Sequence, residues 1–353
     1  MAFAMPDRHA DARLNFVRQH LPARSLQIEP ASADASFRSY WRARTGANSW
    51  IVMDAPPDKE NIAPWLDIGT RLRGAGLHTP EVFAVDAAQG FILMEDLGTR
   101  AYLPELNTHT ADKLYTEALE ALIAMQTRVS PLSLPAFDEA FLIMELEIMP
   151  TWFLERHLGY TPTCGEWDAI ELAFRCLIHS ARQQPQVFMH RDFHSRNLMI
   201  VEHANPATIA PELLSPGIID FQGAVLGPIT YDLASLLRDC YVAWPIEQID
   251  AWVEQYRQHL ISVNAIDVDG RQFRRWFDLI GLQRHIKVLG LFSRLNYRDA
   301  KSGYLNDLPL VIDYVLKVAR LYPELTELAA VIERAVGTRD ITQARNEGSA
   351  AVA

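Results

Sequence analysis

The chain of 353 residues carries 33 Lys and Arg against 44 Asp and Glu, a net charge of −11. That balance argues against nucleic acid or an anionic membrane as the main partner. With 49% apolar and 22% charged residues it has the make-up of a globular protein, long enough for two domains or one two-lobed unit. Three cysteines, Cys164, Cys176 and Cys240, show neither CxxC nor Cys/His zinc spacing and fit a reducing compartment. Asp7 and Asp11 stand where a signal peptide would need an apolar run, and no uncharged stretch approaches the roughly 18–20 residues of a membrane span. A cytoplasmic location is therefore expected.

In chain order, a short helix is expected over 11–20, followed by a turn at Pro22. "FRSYWRAR" (37–44) alternates polar and apolar residues with period two, and "SWIVMD" (49–54) continues as a second strand. Ile62, Leu66 and Leu72 predict a helix within 61–75; "EVFAVD" (81–86) and "GFILMED" (90–96) predict another hairpin. After Leu97 and Gly98 the pattern turns helical, with helices expected at 111–128, 138–157, 165–183, 231–242, 246–263, 270–298 and 309–335. The strand candidates there are the flanks of "VFMHRDFHSRNLMI" (187–200), taken as a hairpin, and "GIIDF" (217–221). The tail after Gly337 lacks an apolar face and is expected to be disordered. The expected fold is α+β: a β-rich N-terminal lobe at 1–97, a helical lobe at 98–337 and a tail at 338–353.

The polar interior of residues 187–200 holds the chemistry. If 187–189 and 198–200 are strands and 218–220 a third, Asp192, Asn197 and Asp220 come to one end. Hard cations such as Mg²⁺ take oxygen ligands, with only one or two from protein when phosphates and water supply the rest. Asn197 and Asp220 suit that role, which leaves Asp192 to accept a proton from an attacking hydroxyl. A single Asp or Asn would more simply cap a turn; three in this order point to catalysis.

"HRDFHSRN" and "IIDFQ" contain the catalytic-loop Asp, the Asn and the following Asp of the phosphoryl-transfer template. With "GPITYDLASLL" (227–237) and "FILMEDLG" (91–98), they resemble the aminoglycoside phosphotransferase and choline kinase family, relatives of the protein kinases. The resemblance covers roughly 30–300 and implies a protein-kinase-like two-lobed fold with ATP and Mg²⁺. It also implies an adenine-binding hinge at Met94, Glu95 and Leu97 and a phosphate-covering loop around Ser36. The family's small-lobe lysine has no counterpart, since Met53 or Asp54 holds its place. Arg38 or Arg42, on one face of the first strand with Arg44, is the substitute expected unless these arginines form a solvated face.

"MELEIMPTWFLERHLG" and "LQRHIKVLGLFSRLNYRD" are similar to segments of bacterial kinases that phosphorylate the anomeric hydroxyl of amino sugars. This implies a small amino sugar as substrate, with Glu145, Glu147, Trp152, Arg284, His285 and Lys287 as candidate contacts. His194 and Arg196, between base and metal ligand, are candidates for substrate or transferred phosphate. For each, a helix core or its solvated face is the structural alternative. An aminoglycoside, choline or homoserine kinase and a nucleotide-binding pseudokinase are the competing functions. His190 and Asp232 are expected to support the loop.

Overall fold

The alternating stretches pair into one antiparallel sheet in a computed structural model that describes residues 9–21, 26–33, 37–201 and 213–345. Helix α1 (Ala10–His20) leads into β1 (Gln27–Ala33), β2 (Ser39–Thr45) and β3 (Asn48–Asp54). After α2 (Ala63–Gly74) and the two-residue β4 (Leu77–His78) come β5 (Val82–Asp86) and β6 (Phe91–Glu95). The sheet order is β1-β2-β3-β6-β5, each neighbouring pair antiparallel. Period two divides its faces: Ala43, Val52, Phe91 and Leu93 pack with Phe16, Val17 and Leu21 of α1 and its end, while Tyr40, Arg42, Ile51 and Met94 line a cavity.

The short α3 (Tyr102–Glu105) and α4 (Ala111–Arg128) follow, then α5 (Glu139–Leu146), a π-helix (Met149–Leu158), α6 (Cys164–Arg182) and β7 (Gln186–Met189). Next come β8 (Leu198–Met199), β9 (Leu214–Ile218) and β10 (Val225–Pro228). The rest is helical: α7 (Tyr231–Leu237), α8 (Ile246–Ser262), α9 (Gly270–Asp299), α10 (Leu308–Leu321) and α11 (Thr326–Val336). Two compact units result, Met1–Val129 with Arg196–Gly223, and Ser130–Ser195 with Ala224–Ala353. This antiparallel sheet beside a helical majority is the expected α+β class. No helix of the described residues is long and apolar enough to cross a membrane.

The division differs from a boundary at 97/98. Helix α4 packs on β4 and β9, and the sheet β4-β9-β8 carries 196–223 into the same unit. In the other unit α9 is the axis, packed against the π-helix, α6, α7 and α10. Gly290 permits its approach to the π-helix, because a Cβ there would lie 2.5 Å from the Ile148 backbone.

Several sequence expectations need correction. The 187–200 stretch is not one hairpin: β7 pairs with β10, and β8 pairs with β9. The helix expected at 138–157 is α5 followed by the π-helix, with Pro150 in its first turn. The helix expected at 309–335 breaks at Pro323, which has no N–H to continue the ladder. Helix α7 stops at Leu237, and β1 and β10 had not been expected. Residues 338–345 differ from a disordered tail. Ile341 is buried, its carbonyl accepts from His157 Nε2 at 2.9 Å, and the Arg345 N–H donates to Tyr297 Oη at 2.7 Å.

Candidate active site

The first unit carries a cavity of about 400 Å³, a size suited to a small ligand. Ile51 and Met94 line it from the sheet, Leu97, Gly98 and Thr99 from the segment after β6, and Trp65, Met199 and Phe221 complete an apolar wall. Trp65 and Phe221 meet at a ring separation of 5.1 Å. Arg42 holds the segment after β6 in shape. Its Nε donates to Asp96 Oδ2 at 2.6 Å, and its Nη2 donates to Asp96 Oδ1 at 3.0 Å and to the Gly98 carbonyl at 3.1 Å. The Gly98 N–H returns to Asp96 Oδ1 at 3.0 Å, and its φ of 93° suits glycine. Burial opposes ionisation of Asp96, but the Arg42 bonds outweigh it and hold the carboxyl low.

Met94 and Leu97 reach the cavity. Glu95 lies at its edge with its side chain committed: Oε1 is 3.0 Å from His78 Nε2, and Oε2 accepts from the Glu81 N–H at 3.1 Å. Met53 is fully buried. Asp54 pairs with Arg13 at 2.9 Å, so this stretch of β3 presents no cation. Arg44 bonds Glu29 on an exposed surface, and Ser36 lies outside the described residues. Arg38 is different: its Nη2 lies 3.9 Å from Asp220 Oδ1.

Asp220 and Asn197 are set together by the short β8–β9 ladder, with Leu198 opposite Ile218 and the Ile219 N–H donating to the Asn197 carbonyl at 3.1 Å. Asn197 Nδ2 is 3.4 Å from Asp220 Oδ2, and Gln222 Nε2 donates to Asp220 Oδ1 at 2.7 Å. Asp220 has φ 63°, a conformation few residues other than glycine adopt without support from their surroundings. A carboxylate beside an amide is a donor set that fits Mg²⁺.

The loop carrying Asp192 belongs to the second unit. Asp232 accepts the His190 N–H at 2.7 Å and the Arg191 N–H at 2.9 Å, which fixes the turn where Arg191 has φ 77°. Asp239 accepts the Ser195 N–H at 3.0 Å and its hydroxyl at 2.5 Å. The loop is thus held at both ends from α7 and the residues just after it. His190 is fully buried, edge-on to Phe193. Burial pushes the Asp232 carboxyl up to about 7, against the two N–H bonds.

A buried charge network surrounds this loop. Glu145 Oε1 accepts from Arg191 Nη2 at 2.8 Å and lies 3.0 Å from Lys287 Nζ; Glu145 Oε2 is 3.3 Å from Gln283 Nε2. The Arg191 guanidinium sits 4.9 Å from the Phe141 ring centre, and Lys287 Nζ is 3.5 Å from Tyr231 Oη. Burial works against an ionised Asp192, but Lys287 first, then His194 and Arg191, hold its carboxyl below the ordinary range. In turn Lys287 is raised: Glu145, Tyr231 and Asp192 overcome its burial.

The sugar candidates separate on this geometry. Glu145 is 2% exposed, with both oxygens engaged. His285, expected at the substrate, lies in the core: its Nε2 meets the Arg238 carbonyl at 2.9 Å, and its ring stacks on Tyr314 at 4.9 Å. Burial pushes it down to about 3. Arg284 is also buried, with Nη1 3.4 Å from Cys240 Sγ. Trp152 is half-buried on the π-helix and Glu147 is exposed. His194 sits edge-on to Tyr241 at 5.7 Å, and Arg196 is exposed. Gln222, Asp239, Tyr231 and Gln283 were not singled out from sequence. For Gln283 the available signal was its place beside Arg284, His285 and Lys287, a polar group in the largely buried middle of α9.

The sequence matches the family described as "Phosphotransferase enzyme family" over residues 27–277. It is 39% identical over 313 residues to the N-acetylmuramate/N-acetylglucosamine kinase of Pseudomonas putida, covering 88% of each chain. It is 40% identical over 310 residues to the enzyme of the same name from Pseudomonas aeruginosa, covering 87% of this chain and 88% of that one. In structure it is similar to the ADP-bound aminoglycoside phosphotransferase APH(2'')-Ib, with a TM-score of 0.56 and 14% identity over 86% of this chain and 97% of that chain.

Proposed function

Because the chain belongs to the phosphotransferase enzyme family, we propose that it transfers the γ-phosphoryl group of ATP to the anomeric C1 hydroxyl of N-acetylmuramate or N-acetylglucosamine. The observation that carries this is identity of 39% and 40% to relatives of that name along most of both chains, well beyond the catalytic motifs. Such a product fits the reuse of peptidoglycan sugars in the cytoplasm, where ATP is at hand.

In this reading Asp192 accepts the C1 hydroxyl proton as the new oxygen–phosphorus bond forms and ADP departs with the electrons of the broken one. Asn197 and Asp220 would hold Mg²⁺, which would neutralise charge developing on the phosphates. The apolar cavity with Met94 and Leu97 takes the nucleotide base. Arg38, beside Asp220, is better disposed to meet phosphate than Arg42, whose guanidinium is committed to Asp96 and Gly98. Trp152, His194 and Arg196 remain the candidates for sugar contact.

The test is an assay of the full chain with Mg²⁺ and ATP across N-acetylmuramate, N-acetylglucosamine, aminoglycosides and choline. The expected product is an acid-labile sugar 1-phosphate. Phosphorylation of an aminoglycoside or choline alone, or no turnover on any acceptor, would overturn the assignment.

A further inference from the structure

We propose that Gln222 supplies a protein oxygen, in addition to Asp220 and Asn197, to the divalent cation that accompanies the nucleotide. The proposal rests on the reading that Asn197 and Asp220 hold that cation.

Two amide side chains flank the Asp220 carboxylate, one at each oxygen: Gln222 at Oδ1, 2.7 Å away, and Asn197 at Oδ2, 3.4 Å away. Each amide carries an oxygen as well as an N–H. Gln222 Oε1 is buried and accepts no hydrogen bond among the described residues. A buried acceptor left in that condition costs on the order of 1–3 kcal/mol, so this oxygen calls for a partner that the described side chains and backbone do not supply. Either end of the amide can be brought to the carboxylate, since a half-turn about its last torsion exchanges N–H for oxygen.

The chemistry of the neighbourhood narrows that partner. Among the described residues there is no cluster of three His, Cys, Asp or Glu able to hold a metal. A hard cation at Asp220 takes oxygen ligands, amide oxygens among them, and Asn197 and Gln222 are amides bonded to this carboxylate. The placement is also rigid. Phe221, between the two residues, is fully buried, packs on Trp65 and leaves so little room that a Cβ on Gly69 would sit 3.2 Å from its ring. That packing fixes the backbone from which the Gln222 side chain reaches Asp220.

The test uses the full chain with ADP and follows Mn²⁺ binding by the EPR signal of the free ion. Gln222→Met keeps the side-chain length and removes both polar atoms; Gln222→Glu keeps the oxygen and replaces the amide NH₂ with a second oxygen and a negative charge. The methionine variant is expected to bind Mn²⁺ about tenfold more weakly, as losses around metal sites commonly do, and the glutamate variant at least as tightly as the parent chain. Parental Mn²⁺ affinity in Gln222→Met overturns the proposal. So does a glutamate variant as weak as the methionine one, because the amide N–H would then be what matters. Melting curves without Mn²⁺ report folding, and Gln222→Ala replaces the methionine variant if that one melts early. Asp220→Asn separates the two readings. If it binds Mn²⁺ normally, the metal assignment itself falls; if it loses Mn²⁺ while Gln222→Met does not, only the role of Gln222 fails.

Discussion

Asp192 and Asp220 are carboxylates of the same chemistry in opposite settings. Asp192 lies among fixed cations: Lys287 and Arg191 are both bonded to a buried Glu145 and both lower its pKa. Asp220 is held instead by neutral amides, with one arginine nitrogen at 3.9 Å. A proton acceptor in a buried site must be kept ionised by charge that is already in place. A metal ligand needs no such charge, since the cation brings its own, and a dense set of fixed cations would compete with it. The two settings thus suit the two roles proposed above, and each can be tested by changing its charge.

The largest effect is expected at Asp192 itself. Asp192→Asn should lower kcat by roughly 10²–10⁴ while the thermal shift caused by Mg·ATP persists. An unaltered rate would remove Asp192 from the role of base.

Removing the leading cation comes next. Lys287→Met leaves Glu145 short of a partner in a site where losing one member of a buried pair typically costs about 3–5 kcal/mol, read as a lower denaturation midpoint. Its pH signature is separate from its stability cost. Asp192 has a lowered folded pKa, so its ionised form and the stability tied to it are present above the ordinary carboxylate pKa and are lost as pH falls through the lowered value. Without Lys287 that value rises, and the acid limb of kcat/KM should move to higher pH. Lys287→Arg should largely restore its position. A limb that stays in place in the methionine variant breaks the link between this charge and the base.

In the first unit, Arg42→Ala strands a nearly buried Asp96, which should cost about 1–3 kcal/mol. The segment at 96–98 would relax with it, raising KM for ATP several-fold with little change in kcat. A fall in kcat at constant KM would return Arg42 to the reacting phosphates. The smallest effect is expected where a pair is solvated: Arg44→Ala removes an exposed bond to Glu29 and should change stability by less than about 1 kcal/mol.

The motifs that carry the family resemblance and most of the sheet were legible in the sequence because both are local signals. Period two in 37–44 and 49–54 marks strands whose faces differ, and "HRDFHSRN" with "IIDFQ" places oxygen donors at the ends of apolar runs. The pairing of β7 with β10 and β8 with β9 was not legible, because a short apolar run does not specify its partner. The difference between Arg38 and Arg42 was equally hidden: both follow the same alternation, and the structure bonds Arg42 to Asp96 and sets Arg38 near Asp220.

By itself the sequence determined the α+β class, most of the strands and helices and the residue types available for phosphoryl transfer, since backbone periodicity and side-chain donors are properties of neighbours in the chain. Tertiary structure decided what each donor faces. It brought Glu145 of α5 and Lys287 of α9 to the loop that carries Arg191 and Asp192, placed the amide of Asn197 on Asp220, and drew His285 into the core. Those outcomes depend on packing and desolvation between residues distant in sequence, where the strength of a charge or a hydrogen bond is set by what surrounds it.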